Sequence, residues 1–466
     1  MTIPKTVCPA TFAGVLSIIF MLGCQPATDT FINSPDGDIR LAFSLDAAGS
    51  PQYEVAFKGN PVVPASGIGF EFDGHHALGK GMELMEVSYD SLRETWDMPW
   101  GEQSEVESHY NEMRVALREK AAPNRRFNMI FRIFDDGLGF RYEFPEQPGM
   151  EDILIKDEHT TFRLSGDHEV WWLPGDWDTY EQRYSHTKFS EINALEMKGN
   201  PMLAATYIPE NAVNTPVTMK TQQGLYLSFH EADLTNYPGM TLKINPDDLS
   251  MESELVGSER LGGKARVSAP FETPWRTLQI AESPGDLIDS KLILNLNDPN
   301  SIGDVSYFTP MKYVGIWWEM HLGKSTWDME GSQNMDNFTN GGKPKTTHGA
   351  TTENAMRYID FAAANNIHGL LVEGWNTGWD KWINNDREGV FDFITPYPDY
   401  DFEAVRDYAS AHDVQIIMHH ETSAAPRTYE KQMPVAYQFM QDNNIHSVKT
   451  GYVGKVIPEG EYHHGQ

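Results

Sequence analysis

The 466-residue chain carries 36 Lys+Arg against 67 Asp+Glu, a formal net charge of −31, with 40% hydrophobic and 12% aromatic residues. That length accommodates two to four domains with cores of their own. The acidity excludes a phosphate-binding surface and with it a nucleic-acid partner, and the composition fits neither a disordered chain nor a membrane bundle.

Residues 1–23 hold one basic residue, Lys5, and an apolar run from Ala10 to Met21, too short for a comfortable membrane span. Gly23 before Cys24 has the form of a lipobox, which predicts a signal peptide over 1–23 and acylation of Cys24 as the new N-terminus. Removal of that segment takes Cys8 with it, so the mature chain has no cysteine pair for a disulfide or a thiolate zinc site. Gln25 rather than Asp after the cysteine predicts outer-membrane sorting, a lipid-anchored place in the cell envelope.

From 31 to 297 the chain reads as strands and turns. Ile39, Leu41, Phe43 and Leu45 alternate with polar neighbours, and so do Phe127, Met129, Phe131 and Ile133. Asp135-Asp136-Gly137 then turns into Phe140, Tyr142 and Phe144, a hairpin over 127–144. Further strands are predicted at 224–229 and 276–280, and many short strands with Gly/Pro punctuation point to a large β-sandwich. Near 298–303 the pattern changes. Strands at 313–317, 369–372, 414–418 and 448–450 alternate with helices at 352–366, 402–412 and 428–443, the first of which puts Ala355, Tyr358, Ile359 and Ala362 on one face. Such a succession winds into a parallel sheet or barrel. Four strands occupy 303–466, where an eight-stranded barrel domain takes about 250 residues, so the expectation is the first half of a barrel.

Chemistry in parallel βα folds sits at the carboxyl ends of strands. There the sequence places Trp318-Glu319, Glu373-Gly374-Trp375, His419-His420-Glu421 and Lys449. Each has a bland reading as a cap, a packing ring or an ion-pair partner, and the spacing of His419-His420-Glu421 does not fit a helical HExxH zinc site. Every strand end thus carries a Trp or an ionisable group, and carboxylates with nearby Trp, His and Lys suit glycoside cleavage, in which one carboxylate acts on water or on the sugar and another protonates the leaving oxygen.

The segments LVEGWNTGWDKW (371–382), FDFITPYPDYD (391–401), MHHETS (418–423), YEKQMPVAYQFM (429–440) and VKTGYVG (448–454) resemble glycoside hydrolase family 97, as do SPDGDIRLAF, FDDGLGFRYEF and the DTYEQRY region more loosely. The resemblance implies an N-terminal β-super-sandwich, a (β/α)8 barrel of which only about the first half is present, bound Ca2+, and an oligosaccharide substrate; nothing in the sequence suggests an organic cofactor. It implies Glu421 as a catalytic base of the inverting α-glucosidase branch, which trims maltooligosaccharides. Glu373, His419 and Lys449 are implied to line the sugar-binding subsite. Trp318, or Trp317 beside it, is implied to contact substrate, and Glu181, with Glu191 as second choice, to ligate the metal. The general acid is expected beyond residue 466, so the 466 residues alone are expected to be inactive and the activity to belong to the full-length enzyme. The retaining α-galactosidase branch places a nucleophilic Asp just after the fourth strand, where this chain has Gly451. That branch, and a glycan-binding lipoprotein without turnover, are the alternatives.

Overall fold

In the computed structural model, the structure describes residues 30–197, 206–329, 348–382 and 386–466. Cys24 and the predicted signal peptide lie outside them. Among the described residues no helix is long and apolar enough to cross a membrane.

Residues 30–281 build antiparallel sheets. A ten-stranded sheet, which includes the hairpin Arg126–Phe134/Gly137–Phe144 and the strands Tyr226–Ala232 and Trp275–Ala281, faces three smaller sheets of three or four strands. The predicted alternation is what makes the sandwich: in Ile39–Leu45 the odd residues Ile39, Leu41 and Phe43 are buried, against Met113, Val115, Phe131 and Phe140 of the large sheet. Phe140 is the hub of an aromatic layer, with ring centroids 4.8 Å from Tyr53, 5.8 Å from Phe131 and 6.2 Å from Phe162. Aromatic pairs at these separations add to area burial.

An ion cluster sits inside this apolar core. Arg276 is fully buried and donates to both oxygens of the equally buried Glu158 at 2.8 and 2.7 Å, and to Glu231 at 2.9 Å. Thr160 and Tyr237 hydroxyls complete Glu158, and the Met240 N–H completes Glu231. Burial still lifts Glu231 to about 6, against the pull of Arg276. Breaking such a cluster is costly because it strands two carboxylates out of water. Arg276→Met is therefore expected to destabilise the chain by about 3–5 kcal/mol at pH 8. The loss should shrink as pH falls and the stranded carboxyls take up protons, which urea unfolding at pH 8 and pH 5.5 would measure. Equal losses at the two pH values would place the cost elsewhere.

From 313 onward the sheet is parallel. Strands β1 (Tyr313–Gly315), β2 (Gly369–Leu371), β3 (Gln415–Glu421) and β4 (Ser447–Gly451) pair in chain order. Helices α1 (Thr352–Ala364), α2 (Phe402–Ala411) and α3 (Pro426–Asp442) make the connections. Thr351 and Asp401 cap α1 and α2 through side-chain oxygens. Ala355, Ile359 and Ala362 are the buried stripe of α1. Where about the first half of an eight-stranded barrel is the expectation, the described residues form a four-stranded parallel sheet, and no closed barrel is seen among them. β1 is shorter than predicted: the chain leaves it after Gly315 and coils into a helical turn, Trp318–His321. β3 is longer and carries its pairing with β4 through to Glu421 opposite Gly451.

Candidate active site

The extension of β3 decides which of His419, His420 and Glu421 reach the rim, because successive strand residues face opposite ways. His419 and Glu421 share the face toward Glu373 and Gly451. His420 turns to the helix side, where its Nδ1 lies 3.0 Å from the Tyr429 hydroxyl of α3 and its ring packs on Phe393 at 4.5 Å. His420 is a packing residue.

Glu421 is 6% exposed, and its carboxylate is held asymmetrically. Oε1 accepts the Ser423 N–H at 3.0 Å and the Val453 N–H at 2.9 Å. Ser423 and Ala424 have φ of 55° and 54°, consecutive left-handed residues that bend the chain back over the carboxylate. Oε2 faces β4, where a Cβ built on Gly451 would lie 2.7 Å from it and 2.8 Å from His419 Nε2. Burial pushes the Glu421 carboxyl up to about 7, against the opposing pull of the two N–H donors and of Lys449.

Glu373, two residues past β2, accepts a 2.5 Å bond from Lys449 Nζ and is nearly buried. His419 Nε2 lies 4.0 Å from the same oxygen. Burial and the nearby Lys449 push His419 down to about 3, so the imidazole is neutral and the 4.0 Å approach is not an ion pair. His419 Nδ1 is buried without a hydrogen-bond partner among the described residues.

The aromatic wall differs from the sequence expectation. Trp318 is 63% exposed, and among the described residues its ring contact is with His321, 5.3 Å away. Trp317 turns inward, with ring centroids 4.9 Å from Trp327, 6.1 Å from Trp379 and 6.0 Å from Trp382, and Trp379 in turn lies 5.7 Å from His419. The helical turn that replaces the end of β1 causes this exchange. Trp375 is core: it packs against the adjacent rings of Phe402 and Phe439 and donates to the His419 carbonyl at 3.3 Å. Glu319 also turns away from the rim, with Ser325, Asn354 and Tyr358 donating to it. Arg387 was not visible in the sequence as a site residue. It donates to the carbonyls of Val453 (3.1 Å) and Lys455 and so clamps the loop whose N–H holds Glu421.

Glu181 is exposed, and its backbone N–H donates to Thr179 Oγ1 at 3.0 Å. Glu191 spends an oxygen on the Lys188 N–H as a helix cap. Among the described residues no three of His, Cys, Asp and Glu come together as a metal-holding set. At Glu181 the described residues supply one exposed carboxylate as an oxygen donor.

Two family models match the chain. "Glycosyl-hydrolase 97 N-terminal" covers residues 32–299 and "Glycoside hydrolase 97" covers 317–466. Solved structures of a glycoside hydrolase family 97 enzyme from Pseudoalteromonas sp. strain K8, one in complex with acarbose and a variant in complex with panose, are 36% identical. They superpose with a TM-score of 0.81 over 94% of this chain and 62% of theirs. A retaining alpha-galactosidase of Bacteroides thetaiotaomicron is 22% identical over 87% of this chain and 57% of its own length. A probable retaining alpha-galactosidase of Streptomyces bingchenggensis is 22% identical over 74% and 46% respectively. The chain thus spans about half the length of the curated relatives it matches.

Proposed function

The chain belongs to glycoside hydrolase family 97, and from that premise we propose that it acts on terminal α-glucosidic linkages of maltooligosaccharides by an inverting mechanism, with Glu421 as general base. The observation that carries this reading is the pairing of Glu421 with Gly451. Oε1 of Glu421 is tied to two backbone N–H groups, so Oε2 is the free oxygen, and it looks across β4 at a residue with no side chain. A carboxyl raised to about 7 by burial is matched to proton abstraction near neutral pH. In an inverting site the base sits about 6.5–9.5 Å from the acid, and the water lies between them. Oε2 takes the proton of that water as its oxygen bonds to the anomeric carbon. The glycosidic oxygen departs with a proton from an acid expected on a later strand. Lys449 and Glu373 form a charged pair that orients sugar hydroxyls, and the half-buried rings of Trp317 and Trp382, backed by the buried Trp379, supply flat apolar faces.

The retaining α-galactosidase reading has the names of two curated relatives in its favour. It needs a carboxylate where Gly451 stands, and the space there is already filled by Glu421 and His419. Acarbose and panose bound to the 36% identical relative favour a glucosidase. Proton NMR of the first product formed by the enzyme from p-nitrophenyl α-glucoside and α-galactoside separates them. We expect β-glucose and little release from the galactoside. An α-anomer formed first, or galactoside preference, overturns the proposal.

Two further expectations travel with this reading. Calcium would enter through Glu181, an oxygen donor of the kind the ion prefers, and no step above depends on it. Acylation of Cys24 would hold the acidic body in water beside an envelope membrane, which intact-mass analysis of detergent-extracted protein checks by the added acyl mass.

A further inference from the structure

We infer that the sandwich carries a second glycan-binding site, whose lining shares no residue with the strand ends of the parallel sheet. It is a groove of about 740 Å³ between the tip of the long hairpin Met82–Asp97/Glu105–Glu119 and residues 294–308, and it contains none of the residues assigned above to the candidate active site. Its volume is within the range of ligand sites, and its lining combines aromatic faces with a few polar groups.

Trp96 is fixed by a 2.9 Å bond from its Nε1 to Asn295 Oδ1, and Asn295 is itself tied to the Glu107 carbonyl at 3.0 Å. Trp100 and Phe308 meet edge-on at 5.2 Å yet stay 41% and 43% exposed, and Tyr307 continues the platform by stacking on Phe308 at 4.4 Å. The rings are held by each other and by an amide, and they leave faces open to water. Beside them stand the exposed carboxylates of Glu94, Asp97 and Asp298, none of which makes a side-chain hydrogen bond or ion pair among the described residues.

The charge selects the occupant. Among the described residues no Lys, Arg or His lines the groove, so phosphates, nucleic acids and acidic peptides meet three like charges and no counter-charge there. A simple cation would use the carboxylates and leave the apolar faces wet. A neutral sugar uses both: its C–H face lies on an aromatic ring, and its hydroxyls donate to carboxylates, which only accept. The groove therefore fits a neutral oligosaccharide, and it would hold a polymeric substrate on the enzyme while chain ends are processed. The catalytic proposal enters in the choice of starch as first probe, of Glu421→Gln as background and of p-nitrophenyl α-glucoside for the activity control.

Native gel electrophoresis of the enzyme in soluble starch and in galactomannan tests this, with Glu421→Gln as background so that starch is not consumed. We expect starch to retard the protein and Trp100→Ala to weaken that retardation about tenfold, with Asp97→Asn weakening it less. Hydrolysis of p-nitrophenyl α-glucoside should be unchanged by Trp100→Ala in the active enzyme. Retardation by galactomannan alone, lost in Trp100→Ala, keeps the groove and removes the starch reading of the catalytic site. Retardation that survives Trp100→Ala, no retardation in either polymer, or Trp100 shielded from N-bromosuccinimide by other polypeptide overturns the inference.

Discussion

Glu421→Gln is expected to lower kcat by about 10³-fold and leave KM within a few-fold, because the change removes a proton acceptor while keeping the shape of the side chain. The amide oxygen can still receive the Ser423 and Val453 N–H groups that hold Oε1. The wild-type enzyme should lose kcat as pH falls below about 7, where burial has placed the Glu421 carboxyl and its base form disappears. Stability should move the other way. The folded value of about 7 lies above the ordinary 4.5, so folding takes up a proton between those pH values. The cost of holding Glu421 ionised is absent below pH 4.5, grows through that window and is complete above 7. Glu421→Gln removes it and should stabilise the protein by roughly 3 kcal/mol at pH 8 and by nothing at pH 4. Thermal unfolding at both pH values reads this directly. A stability gain that is the same at both, or a kcat that survives, would remove Glu421 from the role of base.

The residues that make this site were unequally visible in the sequence. Period-2 patterning found Ile39, Leu41 and Phe43, and helical spacing found Ala355, Ile359 and Ala362, because burial of one face writes itself into residue choice. Grouping Glu373, His419, Glu421 and Lys449 needed only the rule that strand ends converge, and the strand pairing His419–Lys449 and Glu421–Gly451 bears out that convergence. What stayed hidden depends on contacts between distant segments. The Val453 N–H reaches Glu421 only because β4 lies beside β3, and Arg387 acts on that loop from before α2. Left-handed Ser423 and Ala424 carry no glycine to announce the bend. Trp317 and Trp318 are interchangeable in a pattern, and the helical turn after β1 settled which one turns inward. The spacing of Trp375, Trp379 and Trp382 was a usable signal, but it could not separate the core ring Trp375 from the two that meet Trp317.

Gly451→Ala is the sharpest test of the geometry, since it adds one methyl group and no charge. That carbon would sit 2.7 Å from Glu421 Oε2 and 2.8 Å from His419 Nε2, closer than side-chain carbons pack. Neither neighbour yields easily. Glu421 is tied by two backbone N–H groups, and His419 is buried, with Trp379 at 5.7 Å and the Trp375 indole bonded to its carbonyl. Overpacking of this kind costs about 1–3 kcal/mol, and displacing a base by about 1 Å costs about 10²-fold in rate. Gly451→Ala is therefore expected to lower both stability and kcat with little change in KM. Glu421→Gly in the same chain removes one of the two clashing groups. The double variant should recover much of the stability lost in Gly451→Ala while remaining inactive, a coupling of the size found for residues in direct contact. Stability losses that simply add would mean that Gly451 and Glu421 do not share that space, and the argument against a nucleophilic carboxylate on β4 would fall with it.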